Sequence, residues 1–170
     1  MQICVERCYG MSRFITNFAD VVKIPKAEPE PVDLNRLISN LTRFMEVMCL
    51  NKNIKLTFQP DESLPPVLLD TSLFEQVLLN IIKNAVESIE EDGEIIISTD
   101  SLQHKLVVAD NGKGISKEVE KKIFNPFFSS KPQGQGIGLL FIREVLAQHD
   151  VQYSLRSYPD SWTRFIIKFD

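Results

Sequence analysis

Val107-Val108-Ala109-Asp110-Asn111-Gly112-Lys113-Gly114-Ile115 reads as an apolar strand that ends in a carboxylate and runs straight into a tight turn. A second glycine-bearing stretch, Gly134-Gln135-Gly136-Ile137-Gly138-Leu139, is a loop that enters an apolar helix. Each glycine either lets backbone pass where a side chain would block a ligand or supplies a positive φ. The helix entry offers free N–H groups and the positive end of a helix dipole to an anion. Either stretch alone is weak, since glycine turns usually just turn. Together they point to a nucleotide, with Asp110 for the base and the second loop for the phosphates.

Upstream of these stretches, Asp70 or Thr71 begins a helix that runs to about Glu90. Leu73, Phe74, Val77, Leu78, Ile81, Ile82, Ala85 and Ile89 give it a broad apolar face, which Leu79 and Val86 widen. A helix that apolar is mostly buried. Its polar strip of Gln76, Asn80, Lys83, Asn84 and Glu87 must meet water or a ligand. Asn80 and Asn84 are one turn apart and point to the same place, although asparagine is a poor helix former.

The remaining chain supplies the other layer. Asp33 reads as the N-cap of a helix through about Cys49, with Leu34, Leu37, Ile38, Leu41, Phe44, Met45 and Met48 on its apolar side. Ile54 to Phe58 alternates as a strand, and Pro60 to Pro66 is a loop. Gly93 makes a turn. Glu94 to Thr99 and Lys105 to Ala109 are strands joined by a hairpin around Asp100 to His104. Ser116 caps a short helix or turn to Lys122, and Gly138 to Gln148 is a helix. Val151 to Ser157 and Trp162 to Phe169 are closing strands. This order predicts a two-layer α/β sandwich, a mixed but mostly antiparallel sheet with helices on one face.

Before that domain, Cys4, Cys8, Met11, Ile15, Phe18 and Val22 make a heptad seam along one helix face. It fits an amphipathic helix lying on its own domain, or one strand of a helical bundle completed elsewhere. Ile24 to Pro31 holds three prolines with charges between them, which favours extended chain. The expected division is therefore an N-terminal helix (1–24), a linker (25–32) and a main domain (33–170). The chain has 170 residues, 44% apolar content and a net charge of −4, so it carries no basic footprint for nucleic acid. No apolar run approaches the ~20 residues of a membrane span, and no signal peptide is visible. Three cysteines, Cys4, Cys8 and Cys49, without paired metal-type spacing read as reduced thiols in the cytoplasm.

At this point the motifs carry a resemblance. Asn80-Ile81-Ile82-Lys83-Asn84-Ala85, Asp110-Asn111-Gly112-Lys113-Gly114, Ile123-Phe124-Asn125-Pro126-Phe127-Phe128 and Gly134-Gln135-Gly136-Ile137-Gly138-Leu139 resemble, in order, the N box, first glycine box, phenylalanine box and second glycine box of sensor histidine kinases. The wider superfamily includes DNA gyrase, ATP-dependent chaperones and mismatch-repair ATPases. The resemblance covers Asp33 to Asp170 and implies the Bergerat-type ATP-binding fold. It implies ATP between the N-box helix and the loop before the last helix. Asp110 would accept from the adenine amino group, and Asn84 would give its amide oxygen to Mg²⁺. Asn80 would support the phosphates or a metal-bound water. Gly112, Gly114, Phe124, Gly134, Gly136, Ile137, Gly138 and Leu139 would line the nucleotide, and Lys131 is a candidate for the terminal phosphate. Phe124 to Gln135 would be a mobile lid.

Ser12-Arg13-Phe14-Ile15, followed by the Pro-rich link, resembles the second helix of the kinase dimerisation hairpin, which would span residues 1–24. The helix that carries the phosphoaccepting histidine has no counterpart, so the chain is expected to be part of a longer kinase. His149-Asp150 stands where the family usually has His-Gly-Gly, so that turn is altered. Three functions compete: a histidine kinase catalytic domain, an ATP-hydrolysing conformational module, and a nucleotide-binding regulatory domain. In relatives that hydrolyse ATP or phosphorylate serine, a glutamate one turn before the metal-binding asparagine acts as base. Asn80 holds that position here and cannot take a proton. A neutral imidazole is already a nucleophile, so histidine is the favoured acceptor. The implied partners are the phosphoacceptor segment of the same kinase, a second copy in a homodimer, and a response regulator receiver domain. Nucleic acid and membrane contact by this segment are not expected.

Overall fold

The computed structural model describes residues 24–125, 128 and 137–169. The seam from Cys4 to Val22 therefore lies outside the described residues. The elements are β1 (Glu30–Val32), α1 (Leu34–Leu50), β2 (Lys55–Gln59), β3 (Val67–Leu69), α2 (Thr71–Ser88), β4 (Glu94–Asp100), β5 (Lys105–Asp110), α3 (Lys117–Glu120), α4 (Ile137–Gln148), β6 (Gln152–Ser157) and β7 (Thr163–Lys168). The main sheet has five strands in the order β2-β4-β5-β7-β6; only β2 and β4 run parallel. The two-layer α/β arrangement expected from the sequence is present.

Strand period fixes which side chains enter the core. On β4, Ile95, Ile97 and Thr99 are buried while their neighbours are half-exposed. On β5 the same face holds Leu106, Val108 and Asp110, and on β7 it holds Thr163, Phe165 and Ile167. The register aligns them in rows, Ile97 opposite Val108 and Val108 opposite Phe165. The last row is Ile95, Asp110 and Thr163, so a carboxylate stands where the pattern calls for an apolar side chain.

Against these rows pack α1, α2 and α4. Asp33 and Asp70 cap α1 and α2, accepting from the backbone N–H of Arg36 and Leu73. The apolar face read for α2 is buried throughout, from Leu73 to Ala85, with Ile89 just beyond the helix. On α1 one expectation fails. Phe44 is 58% exposed, and Cys49, four residues on from Met45, is buried in its place. The core-facing stripe drifts around the helix as 3.6 residues per turn requires, which carries Phe44 to the outside.

Two strands escaped the sequence reading. β1 and β3 pair antiparallel over three residues each, Pro31 opposite Leu68. Prolines flank and enter β1, and such short runs give no readable alternation. The proline-rich stretch is thus extended, and it is fastened. Gln148 at the end of α4 accepts from Ala27 N–H at 2.6 Å and donates to Pro25 O at 3.3 Å. Glu28 N–H donates to Asp70. His149 joins the same corner. Its Nε2 accepts from Asp70 N–H at 2.8 Å, which fixes the tautomer whose Nδ1–H donates to Val145 O at 2.7 Å.

The C-terminus of α2 has no basic residue in its own last turn. Lys52, from the loop after α1, fills that role, and its Nζ donates to Val86 O and Ile89 O. A cation on the orphan carbonyls offsets the negative end of the helix. Lys52→Met keeps the aliphatic stem and removes the charge, so it is expected to cost about 1–2 kcal/mol. Urea unfolding checks this; an unchanged midpoint would show that the two bonds contribute nothing net.

Candidate functional site

Asp110 ends β5 and is 7% exposed. Ser88, the last residue of α2, places Oγ 2.7 Å from Asp110 Oδ1, and Gly112 N–H donates to the same oxygen at 3.0 Å. Among the described residues nothing bonds Oδ2, yet no buried side-chain oxygen there lacks a partner, so Oδ2 keeps an open side. Burial pushes the carboxyl pKa up, and the bonds from Ser88 and Gly112 pull the other way. The result is a largely desolvated carboxylate with one oxygen satisfied and one available to a donor.

The turn after Asp110 is shaped by close approach. A Cβ on Gly112 would overlap Ser88 Oγ and lie 2.8 Å from the Ser88 carbonyl carbon and oxygen. Lys113 N–H donates to Ser88 O at 3.1 Å, so α2 and the turn are joined along their backbones. Asn111 turns its Oδ1 to Glu94 N–H at 2.8 Å. Gly114 has φ +72, a conformation that favours glycine. Behind it Ser157 Oγ accepts from Ile115 N–H and meets Thr163 Oγ1, both at 2.8 Å.

Along α2 the polar positions recur every four residues: Gln76, Asn80, Asn84 and Ser88. Asn80 Nδ2 donates to Gln76 O at 2.9 Å. Its Oδ1 faces the first turn of α4, at van der Waals distance, 3.4 Å, from where a Cβ on Gly138 would stand. Asn84 is half-exposed and its amide has no partner among the described residues. From Asn80 to Ser88 the helix rises ~12 Å at ~1.5 Å per residue. One end of this line therefore meets the start of α4 and the other meets Asp110.

The structure brings together Asn80, Gly138, Asn84, Asp110 and Gly112 along this line, with Gly114 in the turn beyond and Ile137 and Leu139 in the first turn of α4. Leu139 is half-buried and packs against the core. Phe124 packs onto the sheet. It packs edge-on against Tyr153 at 5.0 Å and Phe165 at 6.1 Å, and its carbonyl accepts from Arg143 Nη1 at 3.0 Å. Its ring packs on the sheet and its carbonyl is held by α4. Lys131, Gly134 and Gly136 lie outside the described residues, as does most of the expected lid.

Sequence reasoning missed Ser88 and Arg143. Ser88 had a readable signal, since it continues the four-residue spacing of Asn80 and Asn84. Nothing in the sequence tied Arg143 to a carbonyl nineteen positions earlier.

These features can be set beside known proteins. Sensor histidine kinase ZraS of Escherichia coli (strain K12) is 30% identical over 168 residues, covering 98% of this chain and 36% of the relative. Signal transduction histidine-protein kinase AtoS of the same strain is 27% identical over 170 residues, covering 98% and 28%. The chain thus spans about a third of the length of these curated relatives. The solved catalytic domain of histidine kinase ThkA, in a nucleotide-free form, is 30% identical with TM-score 0.73, covering 84% of this chain and 95% of that one. Full-length ShkA in complex with AMPPNP shares the fold at 22% identity and TM-score 0.77, covering 92% of this chain and 34% of that one. Residues 69–170, from the end of β3 through β7, match the family described as histidine kinase-, DNA gyrase B-, and HSP90-like ATPase. A buried strand-end carboxylate, a line of asparagines on the facing helix and a glycine at the close approach of turn and helix lie within the matched residues, and the chain belongs to this ATPase family.

Proposed function

We propose that this chain is the ATP-binding catalytic domain of a two-component sensor histidine kinase. It transfers the γ-phosphoryl group of ATP to a histidine on a dimerisation segment of the same kinase. The observation that carries the reading is Asp110, a buried carboxylate with one oxygen held and the other open. A buried acceptor without a donor is costly, and the exocyclic amino group of adenine is the donor that fits.

The phosphates then lie toward Asn80 and the start of α4, where Gly138 and the N–H groups near Ile137 face an anion. Gly134 and Gly136 belong to the same loop in sequence, and Lys131 is the candidate cation for the terminal phosphate. Asn84 is suited to Mg²⁺, since its amide oxygen has no partner among the described residues and lies between the two ends of the site. Bound there, the ion would neutralise phosphate charge. Asn80 donates to its own helix and cannot accept a proton, so the domain provides no base for water at that position. An imidazole needs none: its nitrogen takes the phosphoryl group, the bond to the β-phosphate oxygen breaks, and ADP leaves.

The likeness to sensor kinases supports a response regulator receiver domain as the next acceptor and a homodimer as the working form. No helix among the described residues is long and apolar enough to cross a membrane. The cytoplasm, where ATP is supplied, is the compartment this chemistry calls for.

Asp110→Asn separates binding from stability. Asparagine keeps an oxygen for Ser88 and Gly112 but puts an amide where Oδ2 was, facing another donor. Nucleotide affinity is expected to fall by about 1–3 kcal/mol in titration calorimetry. The native pKa of Asp110 is raised, so folding favours its protonated form; the stability this contributes is present at low pH and lost as pH rises through the native value. At neutral pH the ionised group is therefore a burden, and Asp110→Asn is expected to hold or raise the melting temperature. Equal affinity in both proteins would overturn the adenine assignment.

The chain alone is expected to acquire no phosphohistidine. His104 lies in the β4–β5 turn, and both ring nitrogens of His149 are engaged at the far end of α4. Incubation with γ-labelled ATP and Mg²⁺ should leave both unlabelled and turnover slow. Adding a hairpin that carries the acceptor histidine should give acid-labile phosphate on the hairpin. Stoichiometric label on His104 or His149 would contradict the assignment.

A further inference from the structure

Ser88 has no place in the four motifs, yet it is the side chain that holds Asp110. Its hydroxyl carries one proton and sits between two acceptors, Ala85 O at 2.8 Å and Asp110 Oδ1 at 2.7 Å. Gly112 N–H also converges on Oδ1. An ionised carboxylate can only accept, so the Ser88 proton must turn to Oδ1 whenever Asp110 is charged. The Ser88 backbone cannot swing away, because Gly112 abuts its carbonyl and Lys113 N–H bonds that carbonyl. Terminal torsions of aspartate are broad and nearly two-fold. A carboxylate held by a single donor would wag about its Cβ–Cγ bond, whereas two donors on one oxygen pin it.

We propose that Ser88 is a specificity-determining positioning residue, which by fixing Asp110 Oδ1 aims Oδ2 at the amino group of a 6-aminopurine nucleotide. This rests on the nucleotide-binding reading above and extends it to a residue outside the motifs. Ser88 need not touch the base. It acts through Asp110, and its effect should depend on what the base carries at C6. A nucleotide with an amino group there uses the aimed oxygen. A nucleotide with only hydrogen there does not.

The test is calorimetric titration of the full chain with ADP and with purine riboside 5′-diphosphate, which has hydrogen at C6. Wild type, Ser88→Ala and Ser88→Thr are compared, each with both nucleotides on the same preparation, so that any loss of folded protein cancels in the ratio. Ser88→Ala is expected to weaken ADP about tenfold, ~1.4 kcal/mol, and the unsubstituted purine less than about threefold. Ser88→Thr, which keeps the hydroxyl, is expected to retain the preference for ADP. Equal weakening of both nucleotides in Ser88→Ala, unchanged ADP binding, or a threonine variant with the preference of alanine would overturn the proposal. Wild type that bound neither nucleotide would instead contradict the nucleotide reading itself. An ADP preference in wild type that survives Ser88→Ala would contradict only the role of Ser88.

Discussion

A carboxylate on the core face of a strand is the constraint on which the site depends. Leu106, Val108 and Asp110 share one face of β5 because side chains alternate, and that face is the inside of the molecule. Asp110 therefore meets α2 whether or not a ligand is present. Ionised, it needs donors, and the fold brings two of them to a single oxygen. That arrangement requires α2 to end at Ser88 and the following turn to carry no side chain at Gly112. Lys52 holds the helix end in place from the other side. The second oxygen is left for whatever enters the cleft.

The same helix lays out the rest of the site. Its apolar residues are fixed by the core, so the polar line of Gln76, Asn80, Asn84 and Ser88 has only one direction to face. At the start of α4, Gly138 stands beside Asn80, whose amide oxygen lies at van der Waals distance, 3.4 Å, from where a Cβ would be. In the proposed reading, the base-binding end at Ser88 and Asp110 and the phosphate-binding end at Asn80 and α4 are two ends of one helix. Sites built on regular elements hold their geometry better than sites on loops.

Much of this was legible in the sequence, for reasons that can be named. An apolar strand ending in Asp110 and running into a glycine turn marked that carboxylate as a candidate for the base. Asp33 and Asp70 stood before apolar periodicity, which is how N-caps look. The width of the apolar face on α2 required burial and left a strip to explain. What stayed hidden depended on distant partners. Ser88 matters through Asp110, twenty-two positions later, and Lys52 through carbonyls more than thirty positions on. β1 and β3 are too short and proline-rich to show a period. Phe44 and Phe124 are aromatic in either setting, and only packing turned one outward and the other onto Tyr153 and Phe165.

The carboxyl of Asp110 can be watched directly. With ¹³C-labelled aspartate, its resonance is followed from acid to neutral pH with and without ADP. Burial should set the titration midpoint above the ordinary aspartate range in the free protein. A donor from the base to the charged form lowers a pKa, so ADP should move the midpoint down. A midpoint within the ordinary range that ignores saturating ADP would contradict the claim that this buried oxygen reads the base.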